Sequence, residues 1–307
     1  MSADTSERLL VTGGTGFLGT PLVKRLAEEG YAITAMGTLS RPENLAAGVE
    51  YLSGDLADSG SASALLNPWR WDALINLAAP IPADYSENER KQCELLSLHV
   101  CIAYNLCAAV PVNWTGRIIH ASSMTVYGAP LSLPVTEQHP RRPSHAYGLA
   151  KLLGEEIMLA APKCADVWVL RFPGLFSESR KTGALSNFMR AAAEGRDMEI
   201  SASPAPWDIL HVDDAVDAIV RALNATGKSP GAINVSYGEP VELSAIAEWI
   251  AQKSGSGVKV RNDSGTRHPV MQLDNTRSKT LLGVPTATLH ERLGDLWAVF
   301  SAGSSSK

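Results

Sequence analysis

The sequence predicts an α/β protein: a doubly wound parallel sheet followed by a smaller lobe. Three observations predict it. Short apolar runs that read as buried strands alternate with stretches of helical periodicity up to about residue 172. A glycine-rich turn joins the first strand directly to the first helix, and the pattern after the sixth strand is less regular. No internal repeat interrupts this order.

Arg8–Thr12 is the first strand, an apolar run with a β-branched residue at its core. Gly13-Gly14-Thr15-Gly16-Phe17-Leu18-Gly19 follows, and Thr20–Glu29 then carries Leu22, Val23, Leu26 and Ala27 at helical spacing. Gly14, Gly16 and Gly19 satisfy G-x-G-x-x-G, and Gly13, Gly16 and Gly19 the G-x-x-G-x-x-G spacing. Glycines let the backbone turn tightly against a pyrophosphate, whose charge then sits on the N–H groups of the helix start. A ligand-free strand-to-helix turn can use the same residues, but in this context Gly13, Gly16, Phe17, Leu18 and Gly19 read as a dinucleotide site.

Ala32–Met36 is the second strand, left through Gly37-Thr38-Leu39-Ser40-Arg41. A site selective for NAD usually places a carboxylate here, about twenty residues beyond the glycines, for the ribose 2′-hydroxyl. Gly37 stands in its place. Two hydroxyls and an arginine suit a 2′-phosphate better, so NADP is expected over NAD, with Thr38 and Arg41 among its contacts; the alternative is that Arg41 points into solvent. Val49–Leu52 is a third strand ending at Ser53-Gly54-Asp55-Leu56, where Asp55 either accepts from an adenine amino group or caps a helix. Ala73–Ala79 is an apolar strand closed by small residues, so that Leu77, Ala78 and Ala79 admit a cofactor.

A long helix from about Asn88 to Val110 is apolar nearly all round, and so is either wedged between layers or packed against another subunit. Arg117–Ala121 is the next strand, running into Ser122–Gly128 and a loop with Pro130, Pro134, Pro140 and Pro143. Helical periodicity resumes at Ser144–Lys151, and Val167–Phe172 is the sixth strand. Further on come a helix near Leu185–Glu194, a strand pair around Ile209–Val212 and Ile233–Val235, and a helix from Leu243 to Lys253. The polar tail Ser301–Lys307 reads as disordered. The expected division is a dinucleotide domain over 1–172, with strand returns from about 205–236, and a substrate lobe mainly over 173–300.

Composition narrows the partners. With 45% hydrophobic and 19% charged residues the 307-residue chain is an ordinary globular protein, and its net charge of −5 gives no electrostatic reason to expect nucleic acid or an anionic membrane. No uninterrupted apolar window of about eighteen residues exists, and the first strand begins too early for a signal segment, so a cytoplasmic protein is expected. Cys93, Cys101, Cys107 and Cys164 lack the paired spacing of a zinc site and read as free thiols, with no metal expected.

The chemistry concentrates on Tyr147 and Lys151, four apart on a predicted helix and so on one face. A phenol with a pKa of about 10 is a poor base at neutral pH. A nearby ammonium favours the phenolate and makes proton exchange with an alcohol or ketone feasible. Ser123, at the carboxyl end of a strand, can hydrogen-bond the same substrate oxygen.

These pieces carry a resemblance. Thr12-Gly13-Gly14-Thr15-Gly16-Phe17-Leu18-Gly19, Gly54-Asp55-Leu56, Ser122-Ser123 with Val126-Tyr127-Gly128, and Tyr147-Gly148-x-x-Lys151 are joined by Leu170-Arg171-Phe172 and His211-Val212-Asp213-Asp214-Ala215. Leu273-Asp274-Asn275-x-x-Ser278-Lys279 with Leu282-Gly283 completes the set. Over nearly its whole length the chain resembles an extended short-chain dehydrogenase/reductase of the NAD-dependent epimerase/dehydratase family. The resemblance implies a Rossmann domain holding NAD(P) and a C-terminal substrate lobe. Tyr147 would be the acid/base, Lys151 would bond the nicotinamide ribose, and Ser123 would polarise the substrate oxygen. Pro173 joins the implied cofactor contacts, and Ser123, Met124, Thr125, Gly174 and Trp207 are the implied substrate contacts. A homodimer through the helices near 88–110 and 145–160 is implied as well.

Departures from the family pattern matter too. Pro173-Gly174-Leu175-Phe176 stands where an asparagine is frequent, and Trp207-Asp208 where an arginine often grips a diphosphate. Met124 and Thr125 replace the Asp-Glu pair of the dehydratases, so elimination of water is poorly supported. His99 stands where an asparagine is frequent and reads first as a core residue. The expected function is therefore an NAD(P)-dependent oxidoreductase exchanging hydride with a secondary alcohol or ketone of a small, sugar-like substrate. An epimerase working through a transient ketone, with a nucleotide-diphosphate sugar among its candidate substrates, is the alternative, and a non-catalytic cofactor-binding sensor the second alternative.

Overall fold

The structure is a computed structural model that describes residues 7–40, 42–43, 45–80, 89–160, 165–180, 183–201, 206–261 and 269–304. In chain order the elements are β1 (Arg8–Thr12), α1 (Gly19–Glu28), β2 (Ala32–Gly37), β3 (Glu50–Ser53), α2 (Ser59–Leu66), β4 (Ala73–Asn76), α3 (Glu89–Ala109) and β5 (Arg117–Ser123). After the 3-10 turn Met124–Val126 come α4 (Ala146–Leu159), β6 (Asp166–Phe172), β7 (Gly174–Phe176), α5 (Ala184–Ala193), β8 (Met198–Ser201), β9 (Ile209–His211) and α6 (Val212–Leu223). The last are β10 (Ala232–Asn234), α7 (Leu243–Ser254), β11 (Val258–Arg261), α8 (Thr276–Leu282) and α9 (Leu289–Ser304).

Two compact units divide the chain. The first takes the chain up to Gly128, Pro140–Arg171 and Val216–Ile233; the second takes Ala129–His139, Phe172–Ala215 and the chain from Asn234 on. A parallel seven-stranded sheet of order β10-β6-β5-β4-β1-β2-β3 organises the first unit. Its order reverses between β1 and β4, the switch point at which such sheets open a crevice at their strand ends. Leu9, Leu10, Val11, Leu74, Ile75, Ile118 and Ile119 are fully buried in it, which is why these strands read as continuous apolar runs and not as alternations. Helix α1 presents Leu22, Val23 and Leu26 to the interior at the spacing the sequence showed.

The second unit holds two small parallel sheets, β7 with β9 and β8 with β11. Its core includes Phe188, Met189, Ile200, Leu210, Ile246, Ile250, Leu293 and Leu296. A buried carboxylate, Asp214, ties α6 to α9: Arg292 donates to both of its oxygens at 2.9 Å, and the Tyr237 hydroxyl donates at 2.5 Å.

Several expectations change. The segments around Ile209–Val212 and Ile233–Val235 do not pair with each other. β9 pairs with β7 in register Gly174–Ile209, and β10 lies on the outer edge of the large sheet beside β6. Both partners are remote in sequence, and Val212 opens α6 instead of closing a strand. β4 stops at Asn76, so residues 77–79 are its exit, not its continuation. The tail is helical through Ser304, because α9 continues its ladder past Phe300; residues 305–307 lie outside the described residues, as do Asn88, Arg41 and Cys164. Among the described residues no helix is long and apolar enough to cross a membrane.

Candidate active site

A row of buried polar side chains crosses three neighbouring strands at the level where β1 and β4 end. Register places Thr12 of β1 beside Asn76 of β4, and Asn76 beside His120 of β5. The Thr12 hydroxyl donates to Asn76 Oδ1 at 2.8 Å, and Asn76 Nδ2 donates to His120 Nδ1 at 3.1 Å. Asn76 Oδ1 also accepts the Ala78 amide at 3.2 Å, so the row fixes the backbone just where the sheet ends. Burial and the Lys151 ammonium push the His120 pKa down to about 3, so its ring is neutral.

The glycine turn packs on this exit. Gly13 has φ +67°, and a Cβ on it would lie 2.8 Å from the Leu77 carbonyl carbon. A Cβ on Gly19 would lie 2.0 Å from the Gly13 carbonyl oxygen. No side chain fits at either position, and the turn is folded tightly enough to bring a helix start to the strand ends. α1 then begins behind Leu18 with no side-chain cap and no acidic residue in its first turn. An uncapped, uncharged helix start over a closed glycine turn is a fitting cradle for a dinucleotide pyrophosphate.

Beside it, β2 leaves through Gly37, where a Cβ would meet the Thr15 hydroxyl at 2.8 Å and the Tyr51 hydroxyl at 3.1 Å. Tyr51 donates to the Leu39 carbonyl at 2.8 Å and so holds this corner; Thr38 is exposed. Asp55 accepts the Ala57 amide at 2.8 Å, while the cap of α2 is Asp58, which accepts the Ser61 amide at 2.7 Å. The capping role left open for Asp55 therefore belongs to Asp58. Asn105 of α3 donates to the Leu56 carbonyl at 2.8 Å and steadies the same turn.

Strand β5 delivers Ser123 to its carboxyl end, where Ser123 caps the 3-10 turn. Its Oγ accepts from the Thr125 amide at 3.2 Å and the Thr125 hydroxyl at 3.0 Å. With two lone pairs engaged, its own O–H is what it has to offer a substrate oxygen. Helix α4 starts behind His145, whose Nδ1 accepts the Gly148 amide at 3.1 Å. Gly148 has no room for a side chain: a Cβ there would lie 2.5 Å from the Thr125 carbonyl oxygen. This close approach sets the first turn of α4, and with it Tyr147, against the turn that Ser123 caps.

One helical turn on, Lys151 is buried, with Nζ 5.8 Å from the Tyr147 ring centroid and donating to the Ala121 carbonyl at 2.9 Å. Burial pushes its pKa down to about 8, against an upward pull from Glu155. Glu155 is itself fully buried and receives both arms of Arg171, at 2.9 and 2.7 Å, together with the Ser122 hydroxyl. Arg171 also donates to the Tyr127 hydroxyl at 2.8 Å. Two imidazoles flank the Tyr147 ring: His145 stacks on it at 6.3 Å, and His99 of α3 meets it edge-on at 5.7 Å.

The first unit thus holds the glycine turn, Leu56, Leu77, Ala78, Ser123, Met124, Thr125, Tyr147 and Lys151; the glycine turn packs on Leu77 and Ala78, and Tyr147 lies beside Lys151 on the helix packed against the Ser123 turn. Pro173, Gly174 and Trp207 belong to the second unit, where a Cβ on Gly174 would lie 3.6 Å from the Trp207 indole nitrogen. Sequence reasoning missed the Thr12–Asn76–His120 row, the Asn105 support and the Glu155–Arg171 pair. A charged residue inside the apolar run Val167–Phe172 was the available signal for Arg171, since arginine is rarely buried unless paired.

A profile of the NAD dependent epimerase/dehydratase family matches residues 9–236. UDP-glucose 4-epimerase of Mycolicibacterium smegmatis is 28% identical over 298 residues, spanning 90% of this chain and 92% of its own. The dTDP-6-deoxy-L-talose 4-dehydrogenase (NAD(P)(+)) of Kitasatospora kifunensis is 26% identical over 313 residues and spans 96% of both chains. A Bordetella bronchiseptica enzyme, WbmG, solved in complex with NAD and UDP, superposes with a TM-score of 0.83 at 20% identity, covering 99% of this chain and 96% of its own.

Proposed function

From its membership of the NAD dependent epimerase/dehydratase family, we propose that this enzyme is a 4-epimerase of a nucleotide-diphosphate sugar, working through a transient ketone. The observation that carries the proposal is Lys151 Nζ, buried 5.8 Å from the Tyr147 ring on the helix that packs against the Ser123 turn. Bound over the glycine turn, a nicotinamide dinucleotide supplies the hydride acceptor and donor. Tyr147, its phenolate favoured by the Lys151 ammonium, takes the proton of the sugar hydroxyl as the alcohol becomes a ketone, and returns it as the ketone is reduced on its other face. Ser123 donates its O–H to the same oxygen throughout.

The net reductase or dehydrogenase expected first from the sequence shares this half-reaction. Epimerisation is the better supported because UDP-sugar 4-epimerases recur among the relatives; the dTDP-sugar 4-dehydrogenase keeps net oxidation as a second reading. A nucleotide sugar likewise replaces the small, sugar-like substrate expected first from the sequence. The test is incubation with UDP-glucose, UDP-galactose or a UDP-pentose and catalytic dinucleotide. Sugar interconversion without accumulation of reduced nicotinamide is expected; stoichiometric reduced nicotinamide would establish the dehydrogenase instead. Tyr147→Phe should lower turnover by roughly two to four orders of magnitude with dinucleotide affinity unchanged, and wild-type activity in that variant would refute the site.

Two finer points go with this reading. NADP is favoured over NAD because Gly37 offers no carboxylate to repel a 2′-phosphate, and parallel titrations of the two cofactors test it. The enzyme is a cytoplasmic homodimer through α3 and α4, which leave Leu98, Leu149 and Leu153 exposed.

A further inference from the structure

Resting on the assignment of Tyr147 as acid/base, we propose that His99 is its positioning residue: the imidazole sets the Tyr147 ring and tethers it to the segment that follows β4. Three observations place it there. The His99 ring meets the Tyr147 ring edge-on, with centroids 5.7 Å apart and an interplanar angle of 88°. His99 Nε2 lies 2.6 Å from the Pro80 carbonyl oxygen. The side chain is buried, 6% exposed, on the helix that packs most extensively on α4.

The chemistry of the pair fixes what His99 does. A carbonyl only accepts, so Nε2 carries the proton and donates it to Pro80. One short hydrogen bond then sets the ring plane, and the ring plane sets the edge presented to the phenol. Charge is excluded from the arrangement: burial and the Lys151 ammonium push the His99 pKa down to about 4, with the Pro80 carbonyl pulling the other way. Among the described residues the groups that face it are Tyr147 and Lys151 from α4, neutral His120 from β5 and the Pro80 carbonyl. Among these described groups Lys151 carries the charge, and a neutral His99 adds none that would oppose it.

Pro80 closes the Leu77-Ala78-Ala79 exit, so the tether joins the two sides of the reacting centre. His145 stacks on the same ring at 6.3 Å, and its Nδ1 accepts the Gly148 amide at the cap of α4. His99 links the ring to the segment that follows β4.

Two variants separate the parts of this role. His99→Phe keeps an aromatic edge and removes the donor to Pro80; His99→Gln keeps a donor and removes the ring. Each is measured for kcat and KM separately, for dinucleotide binding by the substrate-free protein, and for thermal midpoint. We expect kcat to fall roughly 5- to 20-fold in both, with the sugar KM little changed, as for a small displacement of an acid/base. Dinucleotide binding should weaken several-fold in His99→Phe and stay near wild type in His99→Gln. In a Tyr147→Phe background His99→Gln should cost no further kcat, because its effect runs through the phenol. The proposal is overturned by a full, additive loss in that double variant, by wild-type kcat in both single variants, or by unchanged dinucleotide binding in His99→Phe. Failure of the underlying assignment looks different: Tyr147→Phe alone would then be fully active.

Discussion

Replacing Gly148 by alanine perturbs the placement of Tyr147 without touching any reacting group. A methyl there would sit 2.5 Å from the Thr125 carbonyl oxygen and 2.9 Å from Cβ of Pro143, where ordinary contact begins at 3.4 Å. The first turn of α4 and the Ser123 turn must therefore separate by about 0.9 Å, the difference between 3.4 and 2.5 Å. A displacement of about 1 Å between catalytic groups costs on the order of 100-fold in rate. Stability should suffer less: overpacking costs about 1–3 kcal/mol, and removing a helical glycine offsets about 0.5–1 kcal/mol of it. The assay is the initial rate of the proposed epimerisation beside a denaturation curve, with Gly294→Ala as control. Gly294 lies inside α9 with nothing within 4 Å of its would-be Cβ, so that variant should gain about 0.5–1 kcal/mol and keep full activity. A Gly148→Ala enzyme within about twofold of wild type would refute the argument that this close approach aligns the site.

Three further outcomes are expected. Lys151 has a folded-state pKa of about 8 against an ordinary 10.5, so between those values the unfolded chain holds a proton that the folded one has released, and this group's contribution to stability rises with pH. Lys151→Met should thus exceed wild type in thermal midpoint near pH 7, the gap closing toward pH 10; a gap that widens refutes it. Glu155→Gln leaves the buried Arg171 guanidinium without its carboxylate and should cost about 3–5 kcal/mol in denaturant unfolding. Leu98→Glu or Leu153→Glu should give monomer by analytical ultracentrifugation if those exposed side chains form the subunit contact, and a wild-type monomer would dismiss that contact.

Much of the first unit was legible because its signals are local. A glycine turn between strand and helix, and a Tyr-x-x-x-Lys pair on one helical face, are decided within a few residues of chain. α2 was missed because Ser59–Leu66 is built of Ser, Gly, Ala and Leu with no clear apolar face; Asp58, its cap, was the readable sign. The pairing of β9 with β7 and of β10 with β6 depends on which strand edges remain after the rest has packed, and no short window carries that. His99 read as a core histidine, and it is buried. Its place against Tyr147 comes from the packing of α3 on α4, which spacing along one helix does not reveal.

The interleaving of the two units has a consequence for how the chain is born. Arg117 of β5 donates to the carbonyls of Ala222, Leu223 and Ala225, and β10 supplies the outer strand beside β6. As the polypeptide leaves the ribosome at about 5–20 residues per second, the sheet stays open at that edge until the second unit's Phe172–Ala215 segment has already emerged. For several seconds the nascent protein exposes the β6 edge that β10 will pair and leaves Arg117 without its carbonyl partners. That interval, more than anything in the finished molecule, is when a chaperone or a wrong strand can reach it, and it is why cutting the gene after β6 should yield aggregates and not a working nucleotide-binding half.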